Sequence, residues 1–221
     1  MSTELGLRER KKQQTRTAIR DAAMRLFLER GFDQVSVAEV ARAADVSEAT
    51  VFNYFPTKED LVYERMDAFE QELLAAVRER PEGESVLRAF ARFILDRSDS
   101  AATGDGRRRV AALTRLTTAS LSLQARERQI VASYTEALAA LLAEETGAAA
   151  DDIEPRLAAE AMMALHRSLI DFARRRALSR KSSAEFASEI RAAGEHALTL
   201  LEGGLGEYGG RAAPHTSRDN S

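Results

Sequence analysis

The 221-residue chain contains no cysteine and no tryptophan, and it has only four prolines and three histidines. Without cysteine it can form neither disulfides nor thiolate metal sites, and it lacks a cysteine nucleophile. This absence fits a reducing compartment. The sequence also has no HExxH, G-x-S-x-G or P-loop pattern. An enzyme is therefore a weak alternative, and the sequence predicts no cofactor and no metal site.

Long hydrophobic runs are also missing. No apolar run approaches the roughly 18 residues that a membrane-spanning helix needs. The first residues, MSTELGLRERKKQQTR, contain no apolar stretch like that of a signal peptide. We therefore expect a cytoplasmic protein that makes no membrane contact.

The net charge of −3 indicates no general affinity for nucleic acid, but the charges are unevenly placed. Residues 8–20 contain six basic side chains and one acidic side chain. A local basic patch can bind phosphates although the whole protein is acidic. A solvated helix start or an unstructured tail is the alternative explanation for such a run.

Scarce proline and abundant Ala, Leu, Glu and Arg predict an all-α fold. The first helix is predicted from about Arg8 to Arg30, with Gly31 ending it. Ser36 and Glu39 have the spacing of a capping box, which predicts a second helix. This second helix is short and ends near residues 43–44.

Another helix start follows only three residues later. Ser47 can cap a third helix, which must stop before Pro56 because proline disfavours helical geometry in the residue before it. Thr57 and Asp60 form a further capping-box pair, which predicts a long fourth helix to about residue 79. Three helix-start signals so close together indicate a compact three-helix unit with a tight turn before the third helix.

The short helix after Ser47 divides into two faces. Val51 and Phe55, four residues apart, can pack against the two preceding helices. Two short helices joined by a tight turn form a helix-turn-helix, whose second helix reads base edges in the major groove of DNA. Asn bonds adenine through two atoms, and Ala or the Thr methyl contacts a thymine methyl. A helical hairpin with an aromatic core and no role in DNA binding is the alternative interpretation.

The stretch GFDQVSVAEVARAADVSEATVFNYFPTKEDLV (31–62) resembles the DNA-binding segment of the TetR family of transcriptional regulators. The similarity begins at about residue 12 and includes the preceding motif FLERGF (27–32). It implies an N-terminal three-helix helix-turn-helix domain, followed by a larger helical ligand-binding and dimerisation domain. The candidate DNA contacts are Lys12, Arg16, Ser36, Ser47, Glu48, Ala49, Thr50, Asn53, Tyr54 and Lys58. Among them, Tyr54 and Lys58 are predicted to contact phosphates.

Three features depart from the family pattern. Asp45 stands where the family often has a turn glycine, and Asp tolerates left-handed geometry better than most residues. Phe52 stands where the family commonly has a tyrosine whose hydroxyl bonds a phosphate, so Phe52 is left out of the predicted contacts. The third helix also carries no basic residue and lacks the commonest guanine reader.

The larger C-terminal part is also predicted to be helical. Helices are expected near 84–97, 108–122, 125–146, 152–177 and 183–202, with loops at DSAATGDG (99–106) and TGAAADD (146–152). The last residues are rich in Gly and polar side chains, which is typical of disorder. The predicted domains are therefore 1–60 for DNA binding, 61–203 for ligand binding and dimerisation, and 204–221 as a disordered tail.

Apolar stripes on the last two long helices suggest an interface. One contains Leu157, Ala161, Leu165, Ser168 and Phe172, and the other contains Phe186, Ile190, Ala193, Ala197 and Leu201. Two such helices could pair with their copies as a four-helix bundle, or pack only inside the subunit. The family resemblance favours a homodimer.

A ligand cavity is predicted from large apolar side chains with a few polar tips. The candidates are Phe90, Phe93, Leu116, Tyr134, Met162 and His166. Plain core is the alternative for each of them. RRRALSRK (174–181) either complements a helix C-terminus or binds an anionic ligand such as an acyl-CoA phosphate.

The resemblance implies a ligand-responsive transcriptional regulator, most often a repressor that binds a near-palindromic operator as a homodimer and is released by a largely apolar small molecule. A helical interaction protein that no longer binds DNA remains an alternative. The residues do not identify the operator, the effector or the regulated genes.

Overall fold

The computed structural model describes residues 6–64, 66–101, 104–179 and 182–205. Over these ranges the chain forms nine α-helices, one short 3₁₀ turn and no β-strand, which confirms the all-α prediction. None of the described helices is long and apolar enough to cross a membrane. The chain divides into two compact units, and the first comprises 1–67 together with 112–128. The second unit comprises 68–111 and 129–221, so the units do not follow a linear division at residue 60.

Three helices build the N-terminal part of the first unit. They are α1 (Leu7–Arg30), α2 (Val37–Ala43) and α3 (Glu48–Tyr54), close to the predicted bounds. Their shared core consists of fully or nearly fully buried apolar side chains, among them Ile19, Ala23, Phe27, Phe32, Val35, Val40, Val51 and Phe55. Gly31 ends α1 with a φ of 88°, a conformation that side-chain-bearing residues rarely adopt.

The start of α2 is fixed by a reciprocal capping box. The Ser36 hydroxyl accepts from the Glu39 N–H, and the Glu39 carboxylate accepts from the Ser36 N–H at 2.8 Å. This backbone hydrogen bond, followed by the contact with Arg30, lowers the pKa of Glu39 from 4.5 to about 2. Two of the donors that a helix start leaves without partners are thereby satisfied.

The turn between α2 and α3 has the geometry of a Schellman motif. The Val46 N–H donates to the Ala41 carbonyl at 3.0 Å, and the Asp45 N–H donates to the Arg42 carbonyl at 3.3 Å. Asp45 has a φ of 54°, and it is the only residue other than glycine with positive φ in the described part of the chain. Aspartate therefore does hold the turn where the family often uses glycine.

The predicted long fourth helix is wrong in its first turns. The Thr57–Asp60 capping pair is present, but it opens only a 3₁₀ turn (Glu59–Leu61), and α4 begins later (Met66–Arg78). One reason is the buried Tyr63, whose hydroxyl donates to the Leu123 carbonyl at 3.1 Å. This tertiary hydrogen bond cannot be read from local propensity.

The segment 112–128 belongs to the first unit although it lies far away in the sequence. It contains the end of α6 (Gly104–Ala119) and the start of α7 (Leu121–Thr146). The Ser120 hydroxyl donates to Asp33 at 2.8 Å, and the Arg126 guanidinium donates twice to Asp60. Both acids flank the helix-turn-helix, so polar contacts join this segment to it.

The second unit contains most of α4 and the remaining helices α5 (Val86–Ala101), α8 (Glu154–Ala177) and α9 (Ser183–Leu205), with the rest of α6 and α7. The predicted loop at 146–152 is confirmed, because α7 ends at Thr146 and Gly147 has a φ of 65°. The predicted loop at 99–106 is wrong in its described parts. Residues 99–101 and 104–106 are helical, although Gly and Asp have low intrinsic helix propensity, so local propensity does not decide this segment.

Close packing and one buried ion pair hold this unit together. α9 packs against α5 and α8 at Gly194, where an added Cβ would lie 2.6 Å from a methyl of Leu95. The Arg80 side chain is 3% exposed, and it donates to Glu145 at 2.6 Å and to the Val77 carbonyl at 2.7 Å.

The predicted tail begins inside α9, at Gly204 and Leu205, and its residues 206–221 lie outside the described part.

Candidate nucleic-acid interface and ligand-binding residues

The short helix α3 separates a buried face from an exposed one. Val51 and Phe55 are each 1% exposed and pack into the first unit's core. The exposed side chains are Glu48, Ala49, Phe52 and Asn53, while Thr50 and Tyr54 are half-buried. Glu48, Ala49 and Asn53 thus occupy the outward face expected of them. Sequence reasoning passed over Phe52, whose ring is 47% exposed on this same face.

Two predicted DNA contacts act as helix caps. The Ser47 hydroxyl accepts from the Thr50 N–H at 3.1 Å and lies 2.8 Å from the Thr50 hydroxyl. Ser36 is occupied in the same way at the start of α2. Both serines are exposed, and their contacts orient the starts of the two helices.

The structure gives Lys58 an internal partner. Its ammonium donates to the Phe32 carbonyl at 2.7 Å and lies 4.2 Å from the centre of the Phe32 ring. Partial burial lowers the pKa of Lys58, while Asp33, Glu59 and Glu39 oppose that shift. Lys58 therefore ties the chain after α3 to the α1–α2 junction, and its phosphate contact stays a prediction.

The two predicted contacts on α1 differ in their surroundings. Lys12 is exposed in the basic first turns of the helix. Arg16 donates through Nε to Glu64 at 2.9 Å, and its guanidinium lies 5.0 Å from the centre of the Phe55 ring. Arg20 contacts the same carboxylate at 3.3 Å. Arg16 thus packs against Phe55 just after α3, whereas the charge of Lys12 is more accessible to solvent.

In the second unit, part of the predicted ligand set forms an aromatic cluster. Phe69 stacks on Tyr134 at 5.2 Å and on His166 at 5.1 Å between ring centres, and it meets the edge of Phe93 at 5.4 Å. Sequence reasoning missed Phe69.

The Arg97 guanidinium lies 5.1 Å from the Phe69 ring and 5.3 Å from the Phe93 ring, and it pairs with Glu72. Arg97 was detectable in principle, because it follows Phe93 by one helical turn. We call Phe69, Phe93, Tyr134, His166 and Arg97 the aromatic cluster.

The other three predicted ligand residues are core residues. Phe90 and Met162 are 0% and 1% exposed, on the same helices as Phe93 and His166 respectively. Leu116 is buried in the segment 112–128, which belongs to the first unit.

His166 carries a buried polar atom without a partner. Its Nδ1 makes no hydrogen bond to any residue that the structure describes. Burial, followed by the positive charges of Arg97 and Arg167, lowers the pKa of His166 from 6.5 to about 4. The imidazole is therefore neutral near pH 7. A buried nitrogen of this kind costs free energy unless something hydrogen-bonds to it.

The basic cluster at 174–181 is largely paired in its described part. Arg176 lies 3.3 Å from Glu189 and stacks over Phe172, and Arg174 lies 3.9 Å from Asp171. These cations occupy the last turn of α8, where a helix C-terminus favours positive charge. Residues 180–181 lie outside the described part. The contacts favour the helix-end explanation over an anion site.

The two predicted interface stripes are each divided between core and surface. Phe186 and Ile190 on α9 are 1% and 4% exposed and pack against Ala177 and Phe172. Leu165 on α8 is also buried. By contrast, Leu157 is 59% exposed on α8, and Leu200, beside the α9 stripe, is 70% exposed. Part of each stripe therefore packs inside the subunit.

Comparison with known families decides what this arrangement is. Residues 19–64 match the family model described as bacterial regulatory proteins, tetR family, and residues 80–193 match the one described as MftR C-terminal domain. The second match covers more than half of the chain. The chain belongs to the TetR family of bacterial regulators. The relatives that it matches are transcriptional regulators and not enzymes.

Individual relatives agree with this assignment. The HTH-type transcriptional regulator TcmR of Streptomyces glaucescens is 36% identical over 86 residues, which are 39% of this chain and 38% of TcmR. The chain thus spans well under half the length of that relative. The fatty acid metabolism regulator protein of Bacillus subtilis is 25% identical over 144 residues, or 62% of this chain and 72% of that protein.

The fold also matches a solved TetR-like structure. NalD, the secondary repressor of the MexAB-OprM multidrug efflux pump in Pseudomonas aeruginosa, superimposes with a TM-score of 0.58 and 27% identity. The superposition covers 87% of this chain and 98% of NalD. The helical arrangement of this regulator is therefore shared across almost the whole of NalD.

Replacing Lys58 by Met tests its two roles. Methionine keeps an apolar stem over Phe32 but removes the shorter of two hydrogen bonds to the Phe32 carbonyl, which then accepts only from the Val35 N–H at 3.3 Å. We expect the free energy of unfolding, measured with urea, to fall by about 1 kcal/mol. The predicted phosphate contact adds a second effect. The salt slope of DNA binding should become shallower by about 0.9 for each phosphate that the protein no longer neutralises.

The exposed Lys12→Met is the matched control for the Lys58 variant. It should change the salt slope and leave the unfolding free energy unaltered. An unchanged slope in Lys58→Met would show that Lys58 acts only inside the protein, and an unchanged stability would contradict the internal contact.

Replacing His166 by Phe tests the neutral, buried imidazole. Because the folded pKa is depressed, the unfolded chain takes up a proton between about pH 6.5 and pH 4 that the folded chain does not. Stability is therefore fully present above pH 6.5 and is lost as the pH falls towards 4, by about 3 kcal/mol at most. His166→Phe should lose this part of the pH dependence in urea unfolding at pH 7, 6, 5 and 4.5. His196→Phe, which changes an exposed histidine, is the control. If the unfolding free energy of His166→Phe depended on pH as that of the wild type does, the assignment would be refuted.

Proposed function

We propose that this TetR-family regulator represses transcription by binding a near-palindromic operator as a homodimer, and that a small molecule releases it. The observation that carries the DNA-binding part is the division of α3. Val51 and Phe55 anchor one face, and the opposite face presents Glu48, Ala49 and Asn53 to solvent. A repressor is favoured because repression is the usual mode of the family and NalD is named as a repressor.

Base reading is assigned to the exposed face of α3. Asn53 suits adenine, to which an amide side chain bonds through two atoms. Ala49 and the Thr50 methyl suit thymine methyls. Glu48 can accept a hydrogen bond from cytosine. The helix carries no Arg or Lys, so we expect a half-site in which A·T pairs dominate the bases contacted by α3.

Phosphate binding has to come largely from outside the helix-turn-helix. Residues 31–60 contain two basic and six acidic side chains, so this segment alone repels DNA. The first turns of α1 carry the compensating charge, with Lys12 exposed on them. With roughly three or four phosphate contacts per subunit, at about −0.9 in salt slope each, affinity should fall steeply with salt.

Dimerisation is assigned to the exposed parts of α8 and α9. Leu157 and Leu200 are large apolar side chains left in water, and Ala193, Ala197 and Leu201 are only partly buried. A two-fold dimer would place two recognition helices about 34–36 Å apart, which matches successive major grooves on one side of the duplex. An inverted-repeat operator follows from that symmetry.

The aromatic cluster is the proposed effector site. Stacked rings favour a largely apolar molecule, and His166 Nδ1 offers one hydrogen bond to a polar group on it. Arg97 is already paired with Glu72, so the cluster has no unbalanced charge that would select an anion. The effector shifts the population of DNA-binding states by its differential affinity for them.

Selection of random duplex DNA by the purified protein, at two salt concentrations, tests the operator. We expect an enriched inverted repeat whose recovery falls at the higher salt. Asn53→Ala should then relax the base preference at one position of each half-site, by about tenfold, because the bidentate Asn–adenine pair is removed. Unchanged affinity and selectivity in Asn53→Ala would show that the recognition face is wrongly assigned.

Sedimentation equilibrium tests the dimer. The double variant Leu157→Arg, Leu200→Arg should be monomeric, because two charges would have to be buried in an apolar contact. Leu121→Arg is the matched control, since Leu121 is 80% exposed but lies in the segment 112–128, away from α8 and α9 in the sequence. A double variant that stays dimeric would place the interface elsewhere.

A further inference from the structure

The ring of Phe52 is only partly covered by the fold. It is 47% exposed on α3, between two exposed neighbours in space, Ala49 one turn earlier and Asn53 beside it. The core of the first unit is filled from the other face of the helix by Val51 and Phe55. Single exposed apolar side chains are common on protein surfaces, but the place of this ring beside Ala49 and Asn53 puts it on the face that is proposed to read DNA.

The chemistry of the ring limits what it can contact. Without a hydroxyl, Phe52 can neither donate to a phosphate nor form the contact of the tyrosine that the family commonly has here. The apolar groups in the major groove are the C5 methyl groups of thymine, and Phe is among the side chains that contact them. Phosphates and the polar base edges offer the ring no favourable partner.

The neighbouring residues favour the same bases. Ala49 extends the apolar strip by one helical turn, and Asn53 suits an adenine. Glu48 is the only charged side chain on α3, so nothing on the helix selects guanine. A half-site that presents adenine to Asn53 and a thymine methyl to the adjacent ring suits Ala49, Phe52 and Asn53 together.

We propose that Phe52 is a specificity-determining residue that reads the methyl group of one thymine, next to the base pair read by Asn53. This inference rests on the proposed function and assigns one further base position to the same surface. The contact is direct base reading, since only the methyl group distinguishes thymine from uracil at that position.

The test uses the operator recovered by selection and the full-length protein. Each thymine of a half-site is replaced in turn by deoxyuridine, which removes the methyl group and nothing else. At one position we expect the affinity of the wild type to fall about fourfold, the effect of removing one buried methyl group. In Phe52→Ala the thymine and uracil duplexes should bind equally at that position, while other thymine positions keep their wild-type response.

Two further variants complete the experiment. Phe52→Gln should behave as Phe52→Ala does, and it serves if the alanine variant does not fold. Leu121→Ala, which changes an exposed apolar residue outside α3, should retain the full response to uracil. A uracil effect of the same size in wild type and Phe52→Ala, or no thymine position that responds, would overturn the inference. Failure to recover any operator would instead refute the proposed function itself.

Discussion

A helix of seven residues is not stable alone in water, so α3 depends on what its neighbours do for it. Burial of Val51 and Phe55 supplies most of the stabilisation, and the Ser47 hydroxyl satisfies a donor at the helix start. Lys58 then fixes the chain just beyond the helix by bonding the Phe32 carbonyl. Because these contacts hold the inner face and both ends of α3, its outer side chains are available for the proposed contact with DNA.

The charged side chains of the first unit are divided between internal contacts and the exposed surface. Two cations of this unit are used in internal contacts, since Lys58 bonds the Phe32 carbonyl and Arg16 bonds Glu64. Its acids are also largely structural, because Glu39 completes a cap while Asp33 and Asp60 bond the segment 112–128. In the proposed DNA complex, the attraction for phosphates is therefore assigned to the exposed basic turns of α1.

The second unit follows a different principle. Its aromatic cluster keeps charge balanced, since Arg97 is paired, and keeps His166 neutral through burial and nearby cations. As the proposed effector site, this ring-lined environment with one unsatisfied nitrogen would select a ligand by its shape and by a single hydrogen bond. That is suited to an effector that binds one state of a regulator better than another, which is what a population shift requires.

Local sequence rules determined much of the first unit. The caps at Ser36 and Ser47 and the break before Pro56 depend on contacts within four residues, so the bounds of α1, α2 and α3 were predictable. The outward face of α3 followed from the spacing of Val51 and Phe55. Exposure of Phe52 on that face was also implied by spacing, but a ring without a hydroxyl does not match the phosphate contact that is common in the family.

Only the tertiary structure decided the rest, because it depends on partners far apart in the chain. Tyr63 interrupts the expected fourth helix by bonding Leu123, and Lys58 turns inward to Phe32. Phe69 joins three rings from other helices into one cluster. Thus the sequence by itself determined the family, the bounds of α1 to α3 and the exposed face of α3, through short-range patterns. Which polar side chains are occupied inside the protein was decided by long-range packing, which no local pattern encodes.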